Sequence, residues 1–416
     1  MPVNIQFTPQ SYSYTGNQML CLITSNNLYS APNVRRDNFK LVIEVQVLVG
    51  VATWQTIYNG KTPPNDDGEA YFDVAEILEN YINDTRPTIA VILNSGFITN
   101  AFAWGINPRY TIYRILAWEE YGIPPTQQGT EEVSSELWAY SGGVSEELHA
   151  QTSGYLMSII GGASDALLTL EPNNKIVADD QHEYRAVFNF TGSDLSIDIE
   201  VIATYTDGST ATFIHTTGTI LNGQMFIFSA GFNQAVEPYF ANAENIKCWE
   251  VKAIGGAPFS GQIGRPYKYL REYTTYCCQQ KRYLFYLNSL GVPETFSTKA
   301  KWRRKLNVER DFCVSMPSQT YLPAAHRKFQ HHIYPKHLYI ANAGYMSRVW
   351  KLSAEQLLLA MQVALLAKNY DGENYAYPVV IISEKFDVTD NFEELHELSF
   401  ELEPSQQLLA YDDLTL

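Results

Sequence analysis

A chain of 416 residues exceeds one ordinary domain, and about two or three are expected. A hydrophobic share of 45% supports packed cores and excludes a disordered chain. A formal charge of -16 and a pI near 4.9 exclude a nucleic-acid binder whose whole surface is basic.

Aromatic residues make up 13% of the chain, with 28 Tyr, against only 18% charged residues. That balance favours strands, because aromatic and β-branched side chains suit a pleated, half-buried surface. Cys21, Cys248, Cys277, Cys278 and Cys313 form an odd, scattered set without a C-x-x-C spacing. Reduced, buried thiols in a protein made in a cytosol are the simplest account. The start MPVNIQFTPQ shows no charged stretch followed by an apolar one, so no secretory leader is expected. No run approaches the ~18 apolar residues that span a bilayer, so no membrane insertion is expected.

Residues 1–125 read as a β-sandwich module with one short helix. Leu41, Ile43, Val45, Val47 and Val49 alternate with Glu44 and Gln46, the period of a half-buried strand. Lys61 to Gly68 is a turn cluster of Pro, Asn, Asp and Gly. Asp73 with Glu76 three residues on suggests a capping box, and Ile77, Leu78, Tyr81 and Ile82 follow at helical spacing until Pro87. Arg109 to Trp118 is a further strand. Residues 126–180, rich in Pro, Gly, Ser and Glu, read as a connection in which Trp138 and Tyr140 are anchors.

A second β-sandwich module is expected over 181–298. Leu195, Ile197, Ile199 and Val201 alternate with polar residues, and Thr206-Asp-Gly-Ser209 predicts a two-residue hairpin turn. Strands near Phe226, Trp249 and Tyr269 complete it. The short run Tyr283 to Leu287, stopped by Asn288, Ser289 and Gly291, reads as its last, fully buried strand. Residues 299–416 form a basic segment and an α+β domain. There Ser353-Ala-Glu-Gln356 predicts a capped helix carrying Leu357, Leu358, Met361 and Leu365, flanked by strands at Pro378–Ile382 and Leu398–Leu402. The expected class is mainly β with an α+β C-terminal part, two sandwich-like modules preceding a small helix-on-sheet domain.

Three constellations bear on function. His326, His331, His332 and His337 lie within twelve residues. They lack the i, i+4 spacing of a helical metal site, and adjacent His331 and His332 face apart on a strand. With Pro323 and Pro335 nearby, an irregular polar or interface loop is the favoured reading, and no metal or cofactor is expected. Lys299, Lys301, Arg303, Arg304, Lys305 and Arg310 surround Trp302. Arginine beside an aromatic suits a nucleic acid or sugar phosphate, but in an acidic protein a basic patch meeting an acidic neighbour is favoured. Asp66-Asp67, Glu119-Glu120 and Glu146-Glu147 supply carboxylates for a glycosidase, yet neighbours on a strand face apart where hydrolysis needs them opposed across a cleft. No G-x-S-x-G, G-x-G-x-x-G or Walker loop is present.

Several segments together resemble virion tail and baseplate proteins of bacteriophages infecting Bacteroidetes. These are Asn17 with Leu22–Asn26, Phe39–Val49, Pro64–Gly68, Tyr71–Leu78, Trp118 to Gly122, Tyr283–Gly291, Asn342–Tyr345, the helix over 353–367 and Tyr377–Ile382. One departure is Gly291-Val292-Pro293, where the resemblance leads one to expect a Gly-Gly turn. The resemblance implies a structural role and no active site. The expectation is a non-enzymatic virion component of the tail tip, baseplate or a tail or neck ring, made in the bacterial host cytoplasm. Its expected partners are copies of itself in a symmetric ring and neighbouring virion proteins, with no nucleic acid. Contact is expected through Lys301, Trp302, Arg303, Arg304, Lys305, His331 and His332. The alternative is a carbohydrate-binding or host-surface adhesin module that stacks sugars on Trp54, Trp104 or Trp138.

Overall fold

The computed structural model describes residues 3–32, 34–97, 104–106, 109–143, 169, 171, 173–189, 193–255, 261–272, 282–298, 302–314, 328–347, 351–368, 373–383 and 395–405. The protein is mainly β, with two sandwich-like modules and a C-terminal region that lays a helix on a sheet. It divides into two compact units. The larger is residues 1–88, 100–272 and 288–293, and the smaller is 89–99, 273–287 and 294–416.

The larger unit begins with β1 (Val3–Phe7), β2 (Tyr12–Tyr14), β3 (Leu20–Ser25), β4 (Tyr29–Ala31), β5 (Val34–Arg35), β6 (Lys40–Val49), β7 (Thr53–Thr62), β8 (Glu69–Asp73) and helix α1 (Ala75–Thr85). Strands β9 (Trp104–Ile106), β10 (Tyr110–Tyr121), β11 (Thr126–Val133) and β12 (Leu137–Tyr140) follow. A sheet in the order β1-β3-β8 faces one in the order β2-β12-β10-β6-β7, with β11 also on β10. The alternation of β6 holds for Leu41, Ile43, Val45 and Val47, which are buried and cluster with Tyr113, Ile115 and Ala117 of β10 and Leu78 and Ile82 of α1, whereas Val49, at the end of the strand, is exposed. The expected capping box is absent. Asp73 Oδ1 accepts from the amides of Ala75 (3.0 Å) and Met19 (3.2 Å), so it ties the helix entry to β3 while Glu76 stays exposed.

The second module contains β13 (Lys175–Val177), β14 (Tyr184–Phe188), β15 (Leu195–Tyr205), β16 (Thr210–Ile220), β17 (Met225–Ser229), β18 (Ile246–Gly255) and β19 (Gly261–Arg271). A five-stranded sheet, β13-β19-β18-β15-β16, covers a three-stranded one, β14-β17-β9. Its third strand, β9, comes from the stretch that the sequence placed in the first module. The stretch read as a connection supplies β11, β12 and β13. Trp138 and Tyr140 of β12 are anchors between the modules. The Tyr140 hydroxyl donates to Gly223 O at 2.5 Å and its ring meets Phe188 edge-on at 4.6 Å. Trp138 lies against Tyr110 (5.5 Å) and Tyr12 (6.1 Å).

The turn after β15 differs from the two-residue form. Gly208 N–H donates to Tyr205 O, Tyr205 N–H donates to Ser209 O, and only Gly208 takes a positive φ (88°). That is a three-residue loop, a type I turn closed by a left-handed glycine. Asp207 Oδ1 accepts from Ser209 N (2.8 Å) and Oγ (2.6 Å), an Asx turn that ties the loop closed.

The smaller unit opens with α2 (Ile89–Ile92) and adds β20 (Arg282–Leu287), β21 (Pro293–Thr298), β22 (Arg303–Val314), β23 (Lys328–Ser347), helix α3 (Lys351–Leu359), β24 (Val363–Lys368), β25 (Asn374–Ile381) and β26 (Leu395–Pro404). They form one sheet in the order β21-β20-β24-β25-β26-β23-β22. The buried strand Arg282–Leu287 therefore does not close the second sandwich. It pairs with β24 (Leu284 with Leu365, Tyr286 with Val363), so its apolar run fills the core of this sheet instead. Asn94, just beyond α2, donates from Nδ2 to Ala376 O and accepts from Ala376 N, both at 2.9 Å, which fixes that segment to β25. Helix α3 begins at Lys351 and ends at Leu359, so Ser353 is inside it rather than at its cap. Met361 lies beyond the helix and Leu365 belongs to β24.

Candidate interaction surface

The sequence concentrated its candidate contacts on Lys301–Lys305 and His331–His332. Lys301 lies outside the described residues, and His326 does also. Trp302 is half-buried against the core of the smaller unit. Its Nε1 donates to Thr298 Oγ1 at 2.8 Å, and the Arg282 guanidinium lies 5.0 Å from its ring centroid. The ring thus anchors the start of β22. Arg303, Arg304 and Lys305 are exposed on β22 itself. The segment read as an irregular histidine loop is strand instead: β23 runs through His331 and His332, with Pro335 opposite Val308 and His332 opposite Asp311. Pro335 is tolerated because a strand pair needs only some of the amides that it runs past.

Strand β22 ends the sheet, and among the described residues none pairs with its outer edge. From Arg303 to Phe312 every side chain is exposed, on both faces. Alternation places Arg303, Lys305, Asn307, Glu309 and Asp311 on one face, and Arg304, Leu306, Val308 and Arg310 on the other. Leu306 is 56% exposed and Val308 37%. The ion pairs here are long: Lys305 Nζ to Glu401 at 3.7 Å and Lys336 Nζ to Glu309 at 3.4 Å. Arg304 Nε donates to His337 Nδ1 at 3.2 Å. Exposed pairs of this kind contribute little to folding, so these charges remain available to a partner.

The carboxylate pairs behave as strand and turn geometry requires. Glu119 is buried and accepts from Ser25 Oγ (2.6 Å) and Asn27 Nδ2 (2.8 Å), whereas Glu120 pairs with Lys61 at 2.7 Å. Asp66 and Asp67 are exposed in the turn before β8, and Glu146 and Glu147 lie outside the described residues. Two of the three tryptophans named for sugar stacking, Trp54 and Trp138, are engaged within the protein. Arg114 covers Trp54 at 4.4 Å and Trp138 is held between the modules, while of Trp104 only the backbone is described.

Sequence reasoning missed a buried charge cluster in the second module. Lys175 Nζ contacts Glu171 (2.7 Å) and Glu183 (2.9 Å), and Arg185 Nη2 contacts Glu171 at 2.9 Å. Tyr267 backs the Arg185 guanidinium at 4.1 Å, and Gln181 Nε2 donates to Glu183 at 2.6 Å. Burial raises the Glu183 carboxyl, against the pull of Lys175. Burial alone would lower Lys175, but attraction to Glu171 and Glu183 outweighs it and holds the ammonium above its ordinary range. Two cations and two anions balance, with their polar atoms turned on one another, which is the arrangement of a structural ion cluster. Only the four-residue spacing of Glu171 and Lys175 hinted at it.

Among the described residues no cluster of three His, Cys, Asp or Glu is placed to hold a metal ion. Burial pushes the Cys21 thiol up to about 12, which disfavours the reactive thiolate. No helix among the described residues is long and apolar enough to cross a membrane.

No family model matches the chain, and no curated protein matches it. Among solved structures it is similar to squid arrestin at 8% identity, with 66% of this chain and 94% of that chain covered and a TM-score of 0.18. A superposition that poor carries no inference about fold or function.

Proposed function

We propose that the chain is a non-enzymatic structural component of a bacteriophage virion, in the tail tip, the baseplate or a tail or neck ring. It assembles through protein–protein contacts with copies of itself and with neighbouring virion proteins. The observation that carries this reading is β22, an edge strand exposed from Arg303 to Phe312 that bears basic, acidic and apolar side chains together. Exposed edges are templates for pairing, and closing subunits into an assembly removes them. The buried cluster at Lys175 and the polar partners of Glu119 support the same reading, since these charged groups serve packing.

The test is the mass of the purified chain in solution, alone and mixed with proteins encoded beside it. Discrete multiples of the 47.1 kDa chain, or stabilisation by a neighbour, are expected. A compact monomer that ignores those neighbours and turns over a glycan would overturn the proposal.

A further inference from the structure

We infer that β22 pairs antiparallel with β22 of a second copy, about a twofold axis at Asn307. The inference rests on the assembly reading above and adds to it the strand, the register and the partner.

The outer edge of β22 is one of the sheet's two ends, and among the described residues it has no strand beside it. An unpaired edge accepts any strand that its side chains tolerate, so the side chains choose the partner. Those of β22 read as a palindrome of opposite charge. On one face the order is Arg303, Lys305, Asn307, Glu309, Asp311, two cations followed by two anions around a neutral centre. A second copy running the opposite way, centred on Asn307, sets Lys305 against the second copy's Glu309 and Arg303 against its Asp311. Symmetry repeats both pairs, giving four attractive contacts. Asn307 meets itself, where two amides can exchange hydrogen bonds. On the other face Leu306 meets the second copy's Val308, covering side chains that are otherwise 56% and 37% exposed. Residues 303–311 hold an unbroken register with β23, so the strand presents this pattern over its full length before the irregularity at Phe312.

One mismatch is present, and symmetry repeats it. Arg304 faces the second copy's Arg310, but both are exposed, so the two long side chains can splay into water. A parallel in-register pairing sets like charges together, and an antiparallel register shifted by two residues keeps only one of the two attractive pairs. Net charge strengthens the choice of partner. Two copies of a chain at -16 repel as wholes, so contact between them needs a local surface of both signs, and β22 supplies one. The isologous geometry also ends the exposed edge, because each copy covers the other.

The experiment is a charge swap on the full chain, read by sedimentation across a concentration series. Lys305→Glu sets Glu against Glu309 twice, and Glu309→Lys sets Lys against Lys305 twice. Each should weaken the dimer about tenfold or more, since every pair counts twice. The double variant Lys305→Glu/Glu309→Lys restores opposite charges and should return near to the parent. Lys305 and Glu309 are both exposed, and an unchanged melting temperature verifies that folding is intact. Asn307→Cys is the positional check. Directly opposed residues have Cβ atoms about 4.5–5.5 Å apart, near disulfide reach, so mild oxidation should give a covalent dimer that the parent, with its own cysteines, does not give. Failure of the double variant to recover, or no Asn307→Cys cross-link in a chain that does oligomerise, overturns the inference and leaves the assembly reading standing. A chain monomeric at every concentration removes this inference. If it also ignores its neighbours, it removes the assembly reading with it.

Discussion

Replacing Lys175 with Met tests whether the buried charges hold the second module together. Lys175 is 4% exposed and lies 2.7 Å from Glu171 and 2.9 Å from Glu183. With charge centres ~4 Å apart and an effective dielectric of ~20, each attraction is of order 4 kcal/mol, offset by repulsion from Arg185 and by the desolvation of Lys175 itself. The net charge of the cluster changes from zero to one uncompensated anion in the core. Removing one partner of a buried pair costs ~3–5 kcal/mol, a large part of the ~5–15 kcal/mol that stabilises a domain. The assay is urea unfolding followed by tryptophan fluorescence. Trp249 is buried, donates to Ala230 O at 2.9 Å and stacks on Tyr269 at 5.2 Å, beside the cluster. Glu183→Gln in the same chain should recover most of the loss, because Glu171 and Arg185 remain as a neutral pair. The pH sign is also fixed. Burial raises the folded Glu183 carboxyl above its unfolded value, so the folded state binds the proton more readily, and ionisation costs stability as pH rises through that raised value. Without Lys175 the penalty grows, so the Met variant should lose least at the acid end. A loss below ~1 kcal/mol, or no coupling to Glu183→Gln, would refute the assignment.

Other expectations follow from single sites. Burial between Phe213 (4.7 Å) and Tyr239 (4.4 Å) lowers His215 to about 4, so its contribution is full above the unfolded value near 6.5 and lost as pH falls towards 4. His215→Phe should flatten that acid limb of a stability–pH curve, by up to ~3 kcal/mol, and an unchanged limb would count against it. Gly142 has φ 128°, and a Cβ there meets Ser289 O at 2.5 Å, so Gly142→Ala should cost about 2–3 kcal/mol in chemical denaturation. Tyr286 is fully buried and its hydroxyl donates to Glu294 at 3.0 Å. Tyr286→Asp buries a second carboxylate beside the first and should abolish folding of the smaller unit, whereas Tyr286→Phe should cost only about 1–2 kcal/mol. Soluble Tyr286→Asp protein with native near-ultraviolet dichroism would contradict that burial.

What could be read from the sequence was local. The alternation in β6 and β15 fixed which residues are buried, because a period of two residues assigns faces without knowledge of the partner strand. The run Tyr283–Leu287 was legible as a buried strand for the same reason, but its sheet was not, since only long-range pairing with Val363–Leu365 decides it. Val363–Lys368 reads as helix, with Ala and Leu good helix formers, yet strands β20 and β25 on either side hold it extended. Glu171 and Lys175 fall in the stretch read as a connection, and Glu183 at the start of the second module. Nothing local distinguishes a charge that the fold will bury beside its opposite. At the candidate surface, the basic patch was visible as composition, but its meaning depended on knowing that β22 is an edge strand with both faces exposed. At Trp302 the sequence does not reveal that Thr298 and Arg282 hold the ring.

Amide hydrogen exchange along Arg303–Asp311, measured at low and high protein concentration with the solution mass followed in parallel, addresses the assembly role most directly. Outward-facing amides of an edge strand exchange freely in an isolated chain and are protected once another strand bonds to them. Protection of these amides should rise with concentration, in step with the mass. Exchange that stays fast while the mass increases would place the contact elsewhere, and a mass that never increases, with or without neighbouring proteins, would contradict the assembly role itself.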